Sequence, residues 1–70
     1  MTAVDLIRMA NQIAANFAAH EEAEAVEAIA NHLRQFWEPR MREELLAVVA
    51  EGQAEGLLPQ VRDALQRIEH

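Results

Sequence analysis

The sequence has 70 residues, a formal charge of −6 and no cysteine. A chain of this size predicts one helical domain over residues 1–70 with a small core, and it cannot be stabilised by a disulfide or a thiolate metal site. The acidic charge argues against nucleic acid and anionic membranes as partners. No apolar run approaches the ~20 residues of a membrane span. Because a basic region followed by an apolar stretch is missing at the N-terminus, we expect a cytoplasmic protein.

Catalytic side chains are scarce. Serine, cysteine, lysine and tyrosine are absent, and Thr2 is the only threonine. The usual nucleophiles of covalent catalysis are therefore missing, apart from carboxylates and histidine. The glutamates cluster at outward-facing helix positions, which is typical of a solvated face. Zinc requires three or four ligands, and none of His20, His32 and His70 has a second histidine three or four residues away. We predict no catalytic, cofactor-binding or metal site in this chain.

Helix-forming residues dominate the composition, and β-branched and aromatic residues are few, which predicts an all-α fold. Thr2 is a suitable N-cap, with Asp5 at the position that completes a capping box. Apolar residues at helical spacing then predict a first helix over about 3–18 and a second over about 21–37.

The second helix is expected to end in a sharp corner. Its inner stripe is predicted to finish at Phe36, with Trp37 about 100° further round, at the margin. Pro39 is a favoured first helical residue and pushes Glu38 out of the α region. A third helix is therefore predicted over about 39–51, almost without a loop.

The end of the chain is expected to form one more helix. Gly52 is predicted to follow the third helix, and Pro59 to open a short fourth helix over about 59–69. The predicted architecture is a small bundle of three main helices plus this short C-terminal helix. We also expect two i,i+4 ion pairs, Glu38–Arg42 and Asp63–Arg67.

The corner between the second and third helices concentrates residue types found in binding sites. Trp and Arg are enriched at interface hot spots, and Arg pairs with carboxylates in a bidentate manner that Lys cannot reproduce. Arg40 and Arg42 also lie in the first turn of a helix, where the macrodipole disfavours a cation by roughly 0.3–1 kcal/mol. We interpret this corner as a docking site with Trp37 as its anchor. Its predicted contact residues are Arg34, Phe36, Trp37, Pro39, Arg40 and Arg42.

Met9, Asn11 and Gln12 in the first helix are predicted as secondary contacts with a partner. Asn11 and Gln12 lie at the edges of the apolar helix face, where they either bind backbone groups of a partner or of the next helix, or simply face solvent. The corner likewise has a second interpretation. In it, Trp37 fills the core of the chain itself, and the arginines pair with its own glutamates.

The chain also carries an ordered set of short motifs. They are Met9-Ala10-Asn11-Gln12-Ile13, Ile29-Ala30-Asn31-His32-Leu33-Arg34, Phe36-Trp37-Glu38-Pro39-Arg40-Met41-Arg42, and Gly-Leu-Leu-Pro with the Val and Ala that follow it in 56–64. Together they cover most of the chain. The set resembles the delta subunit of soluble, NAD-dependent, molybdenum-containing formate dehydrogenases.

This resemblance implies a cofactor-free accessory subunit of a cytoplasmic complex that oxidises formate to carbon dioxide and also runs in reverse. In such complexes the alpha subunit carries molybdopterin guanine dinucleotide and iron–sulfur clusters. The beta and gamma subunits carry FMN and further clusters, and they pass electrons to NAD. The delta subunit would bind the alpha subunit and support its assembly or stability.

We therefore expect a non-catalytic subunit that docks on the alpha subunit of formate dehydrogenase. Two alternatives stay open at this point. The first is a transient assembly chaperone of the same enzyme. The second is an unrelated small helical homodimer, which would cover its apolar surface by two-fold symmetry.

Overall fold

The computed structural model describes residues 2–69, which form four α-helices. The helices are α1 (Ala3–Asn16), α2 (Glu22–Phe36), α3 (Pro39–Ala50) and α4 (Pro59–Glu69). These described residues contain no strand, and the prediction of a small all-α bundle is confirmed. α1 packs against the other three helices, and the broadest helix–helix contact joins α2 to α4. In this part of the chain, no helix combines the length and the apolar character that crossing a membrane requires.

α1 begins with the predicted capping box. The Asp5 N–H donates to Thr2 Oγ1 at 3.2 Å, and the Thr2 N–H donates to Asp5 Oδ2 at 3.5 Å. The helix ends at Asn16, before the predicted residue 18, because the N–H groups of Phe17 and Ala18 bond to carbonyls three residues back. A tightened turn of this kind closes a helix without Gly or Pro.

The corner between α2 and α3 consists of two extended residues. Trp37 has φ −87° and ψ 139°, and Glu38 has φ −64° and ψ 147°. α2 therefore ends at Phe36, one position before the predicted end, and it begins at Glu22 because Glu21 is its extended N-cap. Pro39 is the first residue of α3, as a proline at this position favours.

α3 ends at Ala50, one position earlier than predicted, because Glu51 is the C-cap. Gly52 follows with φ +72°, a conformation that glycine adopts without steric cost. Its N–H donates to the Val49 carbonyl, and the Gln53 N–H donates to the Val48 carbonyl, both at 3.0 Å. This pair of bonds is a Schellman motif.

The buried apolar residues form one cluster to which all four helices contribute. The loop between α3 and α4 also contributes, because Ala54 and Leu57 are buried. Among the described residues, none of the buried side chains is polar or charged. The largest fully buried side chains are Leu6, Ile29, Leu33, Leu45, Leu65 and Val61.

Asn11 fixes this loop to α1. Its Nδ2 donates to the Gly56 carbonyl at 2.9 Å, and its Oδ1 accepts from the Leu58 N–H at 3.0 Å. On the other side, Arg62 Nη2 of α4 donates to the Ala54 carbonyl at 2.9 Å. Of the two interpretations of Asn11, the structure thus favours hydrogen bonding to backbone, although the backbone belongs to the chain's own loop.

Replacing Asn11 should destabilise the chain. We expect Asn11→Ala to lower the free energy of unfolding by about 1–2 kcal/mol, because the Gly56 carbonyl and the Leu58 N–H lose their partner together. Asn11→Asp should also destabilise the chain, since a carboxylate still accepts from the Leu58 N–H but places an acceptor oxygen against the Gly56 carbonyl. Urea denaturation followed by circular dichroism measures both changes. Equal stability of Asn11→Ala and the unchanged chain would contradict a bridging role.

Candidate partner-docking surface

The two aromatic residues of the corner have the opposite exposure from that predicted. Trp37 is 7% exposed and belongs to the core cluster, whereas Phe36 is 67% exposed. The rule of 100° per residue applies only inside a helix, and Trp37 is extended. Its ring therefore packs on the core, and Phe36 points outward. The structure favours the core interpretation of Trp37 over its prediction as a direct anchor.

Trp37 nevertheless contributes to the surface, because it lines a groove between α1 and α2. The groove has a volume of about 430 Å³. It is lined by Arg8, Met9, Gln12, Ile13, His32 and Trp37. The Phe36 ring lies beside it, with its centroid 4.7 Å from that of His32. Met9 and Gln12 are thus brought together with the corner, whereas Asn11 is engaged with the loop.

Arg42 does not form the ion pair expected with Glu38. Its Nη1 instead donates to the carbonyls of Leu33, Arg34 and Trp37 at 3.1, 3.0 and 3.2 Å. The Leu33 carbonyl also accepts from the Trp37 N–H, whereas the carbonyls of Arg34 and Trp37 lie beyond this last bond of the helix, where partners within the helix are missing. Arg42 therefore caps the end of α2 from the first turn of α3.

Arg34 and Arg67 join α2 to α4. Arg34 donates to Asn31 Oδ1 and to the Arg67 carbonyl, both at 3.1 Å. Arg67 Nη1 lies 2.6 Å from Glu27 Oε2, so it pairs across the helices and not with Asp63 as expected. The guanidinium group of Arg34 is thus bound by groups of the chain itself.

Pro39 and Arg40 are the remaining predicted contact residues, and both are exposed. Within residues 2–69 the Arg40 side chain makes no hydrogen bond or ion pair, unlike the other five arginines. Arg40 therefore keeps the unfavourable position in the first turn of α3 without any local compensation. Together with Phe36 and Pro39 it forms the accessible part of the corner, which we call the Phe36/Arg40 corner.

The outer side of α1 also belongs to this surface, although we predicted only part of it. Val4, Arg8 and Gln12 are exposed and follow one another at intervals of four residues. Residues at this spacing lie on one side of a helix. That spacing is visible in the sequence, but only Gln12 carried a prediction.

Asp5 is the carboxylate of the capping box at the start of α1. Hydrogen bonds from the side chain and backbone of Thr2 lower the pKa of Asp5 below its ordinary value of 3.8, and Arg8 lowers it further. Arg8 Nη2 lies 2.9 Å from Asp5 Oδ1. Asp5 therefore takes part in both the capping box and an exposed ion pair.

The three histidines were the candidates weighed for metal binding. In residues 2–69, no three His, Asp or Glu side chains are grouped closely enough to hold a metal ion. His20 Nδ1 lies 3.7 Å from Glu24 Oε2, an i,i+4 pair that we did not predict. His70 lies outside the described residues.

The chain matches the model of a known protein family. The family model for the NADH-dependent formate dehydrogenase delta subunit, FdsD, matches residues 5–65 of the 70-residue chain. The match spans both the α1 motif and the corner motif. No curated protein and no solved structure matches the chain.

The two aromatic residues of the corner should differ sharply in their effect on stability. We expect Trp37→Ala to lower the free energy of unfolding by about 3–5 kcal/mol, as for other large buried aromatic residues. Phe36→Ala should change it by less than about 0.5 kcal/mol, because the ring is exposed. Urea denaturation of the two variants measures the difference. Similar effects of both substitutions would contradict the assignment of Trp37 to the core.

The capping box should weaken in acid. Because the pKa of Asp5 is lowered by folding, its contribution to stability is complete above the ordinary value of 3.8 and is lost as the pH falls through the lowered value. A pH titration followed by the amide NMR signals of Thr2 and Asp5 measures the folded pKa. Thr2→Ala should return this pKa toward 3.8. A titration midpoint that Thr2→Ala leaves unchanged would show that Thr2 is not the cause.

Proposed function

We propose that this chain, which belongs to the FdsD family of NADH-dependent formate dehydrogenase delta subunits, is a non-catalytic accessory subunit that docks on the catalytic alpha subunit. It would act as a single helical domain in a cytoplasmic complex and support the assembly or stability of that subunit. The observation that carries this proposal is the family match over residues 5–65. The exposed corner supplies a surface for docking.

The side-chain chemistry of the chain supports an accessory role. Iron–sulfur clusters are held chiefly by cysteine thiolates, and the sequence contains no cysteine. Serine, lysine and tyrosine, which serve as nucleophiles or proton donors in many enzymes, are also absent. We therefore assign the molybdopterin guanine dinucleotide, the clusters, FMN and the NAD site to the alpha, beta and gamma subunits.

The Phe36/Arg40 corner is the part of the predicted site that is free to contact the alpha subunit. Phe36 offers an exposed aromatic ring next to His32, and Arg40 offers a guanidinium group that no described residue of the chain binds. Aromatic and arginine side chains dominate interface hot spots. Trp37 and Arg42 would support this corner from within, by filling the core and by capping α2.

Substitutions in the corner should release the chain from the complex. We expect Phe36→Ala to weaken binding to the alpha subunit by about tenfold or more, as for a hot-spot aromatic residue. Arg40→Glu should also weaken binding, although a carboxylate in the first turn of α3 stabilises that helix by about 0.3–1 kcal/mol. A variant that is more stable but binds more weakly would show that unfolding is not the cause of the weaker binding. The measurement is the amount of alpha subunit recovered with the tagged chain from its native extract.

Gln66→Ala is the matched control, because Gln66 is exposed on α4 and should leave the recovery unchanged. Full recovery of the alpha subunit by both corner variants would refute docking through the corner. The same experiment addresses the two alternatives. Only trace amounts of the chain in the mature enzyme would indicate a transient chaperone, and a folded dimer without any alpha subunit would indicate an independent homodimer.

A further inference from the structure

Two grooves lie on either side of the outer face of α1. The first, between α1 and α2, contains Met9 and Trp37. The second has a volume of about 390 Å³ and contains Val4, Ile7 and Glu55 among its lining residues. Arg8 and Gln12 line both grooves. They therefore form the ridge between them, and we call the ridge with its two grooves the α1 face.

The exposed apolar side chains of the molecule border this face. In the described part of the chain, three large apolar residues are exposed, namely Val4 at 70%, Phe36 at 67% and, to a lesser extent, Leu58 at 38%. Val4 lines the second groove, and the Phe36 ring packs against His32 of the first at an interplanar angle of 42°. Leu58 is bonded through its N–H to Asn11, which also lines the second groove. Apolar residues gathered on one side mark an interaction surface better than scattered ones do.

The charge of the α1 face is unlike that of the whole molecule. The chain has 12 carboxylates and a net charge of −6, yet Glu55 is the only carboxylate that lines either groove. Arg8 lies at the centre of the face. Its pair with Asp5 joins side chains that are 74% and 39% exposed, and exposed pairs of this kind change an equilibrium constant by at most about fivefold. Because the bonds of the capping box join Asp5 to Thr2 without Arg8, Arg8 can exchange Asp5 for another carboxylate without disrupting the cap.

We infer that the α1 face receives an amphipathic segment of the alpha subunit, which places apolar side chains in the grooves and an aspartate or glutamate against Arg8. This inference rests on the proposed function and adds the chemistry of the segment that is bound. A second copy of the chain fits poorly. Two chains of charge −6 repel each other, and in a two-fold pair each α1 face would meet an identical apolar face instead of a segment of complementary charge.

Cross-linking in the intact complex tests this inference. A photoreactive benzoylphenylalanine replaces Gln12 on the α1 face, and the same residue replaces Gln66 on α4 as the matched control, since both glutamines are exposed. We expect the label at position 12 to cross-link to the alpha subunit at least about fivefold more than the label at position 66. The cross-linked segment, identified by mass spectrometry, should contain apolar residues together with Asp or Glu.

Two variants test the role of the charge. Arg8→Glu should lower the cross-linking yield at position 12 by about fivefold, the scale of one exposed ion pair, and Arg8→Lys should retain most of it. A yield that Arg8→Glu leaves unchanged, or a cross-linked segment without a carboxylate, would overturn the inferred chemistry.

The other outcomes separate this inference from the proposed function. If the chain is recovered with the alpha subunit but cross-links only from position 66, the subunit role stands and the α1 face is the wrong surface. Cross-linking from position 12 to a second copy of the chain overturns the inference in favour of self-association. If the chain is not recovered with the alpha subunit at all, the proposed function fails as well.

Discussion

The close join between α2 and α3 depends on the guanidinium group of Arg42. Three carbonyls at the end of α2, those of Leu33, Arg34 and Trp37, share its Nη1. These carbonyls carry the partial negative charge of the helix C-terminus. A cation in the first turn of α3 is unfavourable for α3 itself, but the sharp corner brings it to the end of α2, where it is favourable. The cation thus stabilises the contact between two helices and not the helix that carries it.

The exposure of the corner follows from this cap. With the end of α2 satisfied, the chain can leave the helix at Trp37 in an extended conformation, and the indole ring packs into the core. Phe36, the last helical residue, then lies on the outside. The same geometry leaves Arg40 without a partner among the described residues. Arg40 lies in the same turn of α3 as Arg42, but its side chain does not bond to the carbonyls at the end of α2. An intramolecular hydrogen-bond network therefore determines which side chains a partner can reach.

Most of the fold could be predicted from the sequence, because the signals were local. Thr2 and Asp5 form a capping box wherever a helix begins with them, and Pro39 and Gly52 restrict the backbone independently of the rest of the chain. The predicted helix ends differ from the observed ends by one or two residues, since the final turn of a helix is closed by bonds that depend on the next segment.

The candidate site was predicted less well, because its geometry depends on contacts between distant residues. Helical spacing placed Phe36 inside and Trp37 at the margin, but spacing has no meaning one residue beyond the helix end. The i,i+4 ion pairs expected for Arg42 and Arg67 are worth a few tenths of a kcal/mol. Hydrogen bonds from a charged group, at about 1.5–3 kcal/mol, therefore prevail where the fold offers other acceptors. The motifs that indicated the family could be recognised without knowledge of the structure, and the family match confirms the resemblance.

The loop between α3 and α4 has a consequence for the cooperativity of the whole chain. Its backbone is bound by Asn11 from α1 and by Arg62 from α4, and its side chains Ala54 and Leu57 are part of the core. Detaching α4 would therefore break polar contacts of α1 and expose the core at the same time. We expect the four helices to open together as one foldon, without a separately unfolding end. A ligand that contacts only α1 or only the corner would then protect the amides of all four helices from hydrogen exchange.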